Sequence, residues 1–152
     1  MKKLLYIFLV TLGGCSPKTS AVLTTQPNRI LYASTDINQA TDDSVARIKP
    51  GGFILGKNIK VTLRTGERRI IPRKDIWGYS DEKGKVWRCF KKTFYQVVQI
   101  GDVVEYEVIE LRNTGNNLYV NEPVRLYSKT LDSKIVGSRK RALRAEDEQK
   151  AE

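Results

Sequence analysis

The chain has 152 residues, enough for one domain and too few for two ordinary ones. It contains no histidine, which excludes Ser-His-Asp and Cys-His catalysis and removes the commonest transition-metal ligand. It carries 27 basic and 17 acidic residues, a formal net charge of +10, so an anionic partner is a more natural expectation than a cationic one.

The first residues have the three-part layout of an export signal. Lys2 and Lys3 form a basic start, Leu4–Leu12 is an uncharged and mostly apolar run, and Gly13-Gly14 supplies small residues before Cys15. The run is too short to span a bilayer, which needs roughly 20 apolar residues. Residues 15–28 follow, rich in Ser, Thr and Pro, and read as a flexible tether.

The segment Arg29–Ser34 holds a short apolar strand, and Thr35–Ser44 reads as loop. Ile59, Val61 and Leu63 alternate with Lys60, Thr62 and Arg64, the period of a half-buried strand. Thr65–Arg68 is a turn and Arg69–Pro72 the returning strand. Further strands are expected at Ile76–Tyr79, Val86–Phe90, Phe94–Ile100, Val103–Leu111, Leu118–Val120 and Val124–Tyr127, with turns rich in Gly, Asp and Asn between them. Short strands at this spacing predict an all-β domain over 29–133, a small antiparallel barrel or sandwich. The remaining 134–152 reads as a charged tail, helical or disordered, because good helix formers there lack a broad apolar stripe.

Two motif matches fail on context. Gly51–Lys57 fits the opening of a P-loop, but Asn58 stands where Ser or Thr should hold magnesium, and a strand follows instead of a helix. Ser80-Asp81-Glu82-Lys83 matches Ser-x-x-Lys, yet these residues fill a turn between strands. Glu105 and Glu107 lie two apart in a strand and so share a face. Such a pair can serve a carboxylate-dependent hydrolase, or it can be a solvated face matched to basic neighbours. No catalytic residue, cofactor or metal site is expected, because Cys89 alone cannot build a zinc site and no EF-hand pattern is present. Cys89 reads as a buried small hydrophobe or as a thiol that pairs between chains.

Charge is distributed unevenly. Lys57–Lys92 holds twelve basic and four acidic residues, whereas Thr93–Ser133 holds three basic and six acidic. Two readings follow. The basic strands around Lys60, Arg64 and Arg88 can neutralise the acidic strand around Glu105 by cross-strand pairing. Alternatively, Arg73, Lys74, Trp77, Tyr79, Arg88 and Lys91 form an aromatic-basic face for an anionic ligand.

Leu12-Gly13-Gly14-Cys15 resembles the lipobox of bacterial lipoproteins. The resemblance implies cleavage before Cys15, leaving residues 1–14 as the signal peptide. It also implies acylation of Cys15 and membrane attachment through that lipid, since two or more chains anchor stably where one does not. If Cys15 is acylated, Cys89 has no partner for an intramolecular disulfide. Ser16, standing where Asp tends to retain such proteins at the inner membrane, implies the outer membrane facing the periplasm. The stretch Ile59–Tyr106, with TGERRIIPRKDIWGYSDEKGKVWR and then FYQVV, is similar to β-domains of small lipoproteins of Bacteroidota. That similarity implies an envelope location and adds no activity; the signal, Cys15, the tether and the missing catalytic groups together point to a non-catalytic interaction or structural module. Its partners would be an envelope protein or an anionic envelope polymer, and nucleic acid is disfavoured in that compartment.

Cys15→Ala should abolish incorporation of a palmitate analogue and release the protein from the membrane fraction. Equal labelling of the two chains would sink the lipid assignment.

Overall fold

The computed structural model describes residues 23–39, 44–51, 57–115 and 118–149, so the signal, Cys15 and residues 16–22 lie outside the described residues, as do 52–56 of the P-loop-like segment. The fold is an all-β sandwich of two antiparallel sheets packed together. Nine strands are described: β1 Ile30–Leu31, β2 Val45–Pro50, β3 Asn58–Leu63, β4 Arg68–Pro72, β5 Gly78–Ser80, β6 Val86–Phe90, β7 Thr93–Ile100, β8 Val104–Asn113 and β9 Tyr119–Ser128. The larger sheet has the order β1-β5-β6-β7-β8-β9, and β2-β3-β4 form the smaller one, inserted in the chain between β1 and β5. One helix, α1 Arg139–Gln149, follows. Among the described residues no helix is long and apolar enough to cross a membrane.

Alternation along each strand divides the side chains between two apolar layers. Leu31, Val86, Val97, Val104 and Tyr106 face one way, with Ile37 and Ile135 packed over them. On the opposite face Ile30 and Phe94 meet Ile59, Val61 and Ile48 of the smaller sheet, with Ile76 between. Fully burying such a side chain stabilises by roughly 1.5–3 kcal/mol. These two layers therefore carry most of the fold.

The first layer closes over a buried cation. Arg88 of β6 donates from Nη1 to the Tyr106 hydroxyl at 2.8 Å, and the hydroxyls of Tyr106 and Ser128 share a bond at 2.9 Å. Ser128 donates onward to the Thr130 carbonyl, so each proton has one direction to point. The guanidinium carbon lies 6.0, 5.3 and 5.7 Å from the ring centroids of Trp77, Phe90 and Tyr106. Asp132 completes the arrangement, accepting from Trp77 Nε1 at 2.9 Å and from Ser34 Oγ at 2.7 Å. Since Ser34 follows β1 and Asp132 follows β9, this carboxylate joins segments leaving the two edges of the larger sheet, which curls around its core.

Both ends of the expected domain extend further than the composition suggests. Thr24 bridges Lys85, the Thr25 and Asn28 amides donate to the carbonyls of Gly84 and Asp81, and Leu23 packs on the core. The last residues of the expected tether are thus part of the domain. Behind β9, Val136 bridges Tyr127, Ile135 is buried, and Ala142 of α1 is 1% exposed. The expected tail therefore starts inside the fold: one small residue is enough to seat the helix without a broad stripe.

Strands β6 and β7 are joined by a two-residue turn, Phe90 pairing with Thr93 across it. Lys91 and Lys92 have φ of 47° and 69°. Positive φ at both central positions is the pattern of a type I′ turn, which favours Asn-Gly. A lysine there strains its Cβ against the backbone at a cost of roughly 1 kcal/mol. The double substitution Lys91→Asn, Lys92→Gly should raise unfolding stability in urea by about 1 kcal/mol. A loss of stability would refute this account of the turn.

Candidate binding sites

The expected aromatic-basic face does not form. In the β5–β6 register Tyr79 lies opposite Trp87 and Gly78 opposite Arg88, so Tyr79 and Arg88 point to opposite faces of the sheet. Arg88 and Tyr79 are buried, and Trp77 packs with Arg88 in the first layer. Arg73 is buried in the second layer against Phe94, with its guanidinium carbon 4.7 Å from the ring centroid. Only Lys74 and Lys91 are exposed, and Lys91 lies 5.8 Å from the Phe90 ring. Interleaved cations and aromatics in the sequence are here distributed over two cores, because successive strand residues alternate sides.

The expected charge pairing also falls elsewhere. Glu105 and Glu107 of β8 are both engaged by Arg125 of β9, at 3.1 and 3.0 Å. Their partner comes from the neighbouring strand of the acidic block itself, since Lys60 and Arg64 sit on the other sheet and Arg88 is in the core. One guanidinium thus matches both carboxylates on this strand face. Ser80 is likewise structural: its hydroxyl accepts from the Arg29 amide at 2.9 Å and donates to the Gln26 carbonyl at 2.6 Å. Cys89 is half-buried, and burial pushes its thiol up from its ordinary value. Among the described residues no three His, Cys, Asp or Glu side chains cluster to hold a metal.

A basic surface exists, built by residues that composition alone does not single out. On the smaller sheet Ile59, Val61, Leu63, Val45 and Ile48 turn inward. The register places Lys49 opposite Lys60 and Thr62 opposite both Arg47 and Arg68, on the outward face. Lys60 also lies opposite Ile70, which is 65% exposed. Arg47, Lys49, Lys60 and Arg68 are exposed and line a shallow depression of about 590 Å³. Among the described residues none of the four makes an ion pair or side-chain hydrogen bond. Like charges directly opposite across a strand pair are destabilising. Edge charges do blunt the sticky edge of β2, but that purpose needs no second lysine facing the first.

A second feature lies between the sheets. A cavity of about 420 Å³ is walled by Tyr79, Trp87, Phe94 and Ile109, with Arg73 at its side. The Tyr79 and Trp87 rings are nearly parallel, 7° apart with centroids 6.2 Å from each other, and Phe94 meets Tyr79 edge-on at 4.9 Å. Arg73 donates to the carbonyls of Lys92 at 2.6 Å and Gly51 at 2.7 Å. Burial holds the Tyr79 hydroxyl protonated far above its ordinary value of 10.0, with the Asp81 carboxylate adding to the effect, and burial raises Tyr106 too.

A raised folded-state pKa means that the folded chain keeps protons which the unfolded chain releases. Stability from this source is complete below about pH 10 and declines as pH rises above it. Urea melts from pH 8 to 11.5 should show that decline, and Tyr79→Phe should make it shallower. Identical slopes for the two proteins would contradict the burial argument.

Comparison with protein-family models, with curated proteins and with solved structures finds no match to this chain.

Proposed function

We propose that this chain is a lipid-anchored protein of the bacterial cell envelope whose β-sandwich acts as a non-catalytic module binding phosphate-bearing anionic surfaces. The anchor half of the reading rests on the lipobox-like Leu12–Cys15 sequence. The binding half is carried by one observation: four exposed cations share the outer face of the smaller sheet without partners among the described residues, two of them set directly opposite each other.

The magnitudes suit this role. A cation near an anionic membrane surface contributes roughly 1 kcal/mol, so four acting together give an affinity gain of about three orders of magnitude. The contribution fades within a Debye length, roughly 10 Å at 0.1 M salt. Such a module is weak alone and effective when a second attachment already holds it at the surface. Ile70, exposed beside Lys60, adds an apolar contact that a headgroup layer can take up. The docked entry segment lies close by, because Asn28 lines a depression together with Arg47 and Lys49.

The test uses the mature chain, residues 15–152 with Cys15→Ala, which removes both the lipid and the apolar run Leu4–Leu12. It should sediment with vesicles containing phosphatidylglycerol and not with neutral phosphatidylcholine vesicles, and binding should drop steeply between 50 and 300 mM salt. Lys49→Glu should weaken vesicle binding by about tenfold. The same change should stabilise the fold by roughly 0.2–1 kcal/mol, through a new cross-strand pair with Lys60. Salt-insensitive binding, or equal binding by the Lys49→Glu chain, would overturn the proposal.

A further inference from the structure

The cavity between the sheets contains an unusual group. Arg73 is 7% exposed, and among the described residues it has no carboxylate partner. Its two terminal nitrogens are satisfied by carbonyls, but its Nε is buried without a hydrogen-bond partner. A buried cation without a counter-charge is expensive, and an unmet buried donor adds to the cost. The Tyr79 hydroxyl, on the same wall, also makes no hydrogen bond among the described residues and is kept as a donor by burial. Around these donors the wall is apolar and flat: the parallel Tyr79 and Trp87 rings, Phe94 and Ile109.

We propose that this cavity is a binding site for an amphipathic monoanion, a molecule with a flat or branched apolar body and a single carboxylate or sulfonate. The apolar body lies along Trp87 and Ile109, and the anionic group sits where Arg73 lines the cavity, compensating the guanidinium charge without contacting the buried Nε. The volume, about 420 Å³, is at the small end of ligand pockets, which run from roughly 300 to 1,000 Å³. The site is separate from the basic sheet face. Its cation is buried, where charge complementarity is strong and salt screens little, whereas the four cations outside are solvated.

Two probes of nearly the same shape separate the charge from the apolar body: 8-anilinonaphthalene-1-sulfonate and its uncharged analogue N-phenyl-1-naphthylamine. The folded mature chain, residues 15–152 with Cys15→Ala, should bind the sulfonate saturably at one site, with quenching of Trp87, and bind the neutral analogue at least tenfold more weakly. Trp87→Phe should remove most of the quenching, because Trp77 lies in the other layer. Arg73→Met should lower sulfonate affinity at least tenfold, to the level of the neutral probe. Since Arg73 also holds two carbonyls, Ile109→Glu at the exposed rim provides a second variant that leaves the guanidinium in place. It removes apolar wall for both probes and adds a charge that only the sulfonate opposes, so it should weaken the sulfonate at least fivefold more than it weakens the neutral probe. The double variant Lys49→Glu, Lys60→Glu should retain sulfonate affinity within twofold. Non-saturable binding, equal affinity for the two probes, unchanged affinity in Ile109→Glu, or a loss in the double variant would each overturn the site.

Discussion

The fold depends on how the first apolar layer tolerates the Arg88 guanidinium. A bare charge in that position would cost several kcal/mol. Here the charge is spread over three ring faces and passed to Tyr106, whose hydroxyl hands a proton to Ser128 and so to the Thr130 carbonyl. The chain of donors runs from β6 through β8 to the end of β9. It therefore fixes how those strands sit across the curl of the sheet. Asp132, accepting from Trp77 and Ser34, ties the exit from β9 to the exit from β1. Removing the Tyr106 hydroxyl would leave both a cation and Ser128 short of a partner, which ties the curl of the sheet to a single oxygen atom.

The all-β class and most strands were legible because period-2 alternation survives in the primary structure, most clearly at Ile59–Arg64. Strand β2 was missed for a physical reason. Its inward residues Val45 and Ile48 are three apart, because a bulge between Val45 and Arg47 breaks the alternation. Strand β9 was read as two pieces around Pro123, yet it is continuous. It is an edge strand, where a residue without an amide proton is tolerated. The binding residues were harder to read. The aromatic-basic interleaving was real in the sequence, but the β5–β6 register sends Tyr79 and Arg88 to different cores. The true basic face joins Arg47 and Lys49, just outside the basic block, to Lys60 and Arg68 within it. Only strand pairing brings those residues together.

Ion pairing and like-charge opposition occur on both sheets. On the β8–β9 ribbon Arg125 meets Glu105 and Glu107 and Arg112 meets Glu122, while Glu110 stands directly opposite Glu122. Exposed pairs of this kind contribute little stability. On the smaller sheet Arg69 meets Glu67, while Lys49 stands opposite Lys60. What sets the smaller sheet apart is that its four outward cations have no carboxylate partner among the described residues. Farther out on the ribbon Ile109, Leu111 and Tyr119 share a face and are exposed, extending the apolar rim of the inter-sheet cavity.

The docking of Leu23–Asn28 against the Asp81–Lys85 turn shortens the leash. For a chain lipidated at Cys15, only eight residue steps separate the acylated sulfur's residue from Leu23. Even fully extended, that length reaches roughly 25–30 Å. A sandwich held on so short a line cannot roam; it is kept in the first few nanometres above the headgroups, and its local concentration there is set by the anchor instead of by affinity. Under that confinement a face worth a few kcal/mol no longer has to capture a surface from solution. It has only to choose which side of the domain lies down.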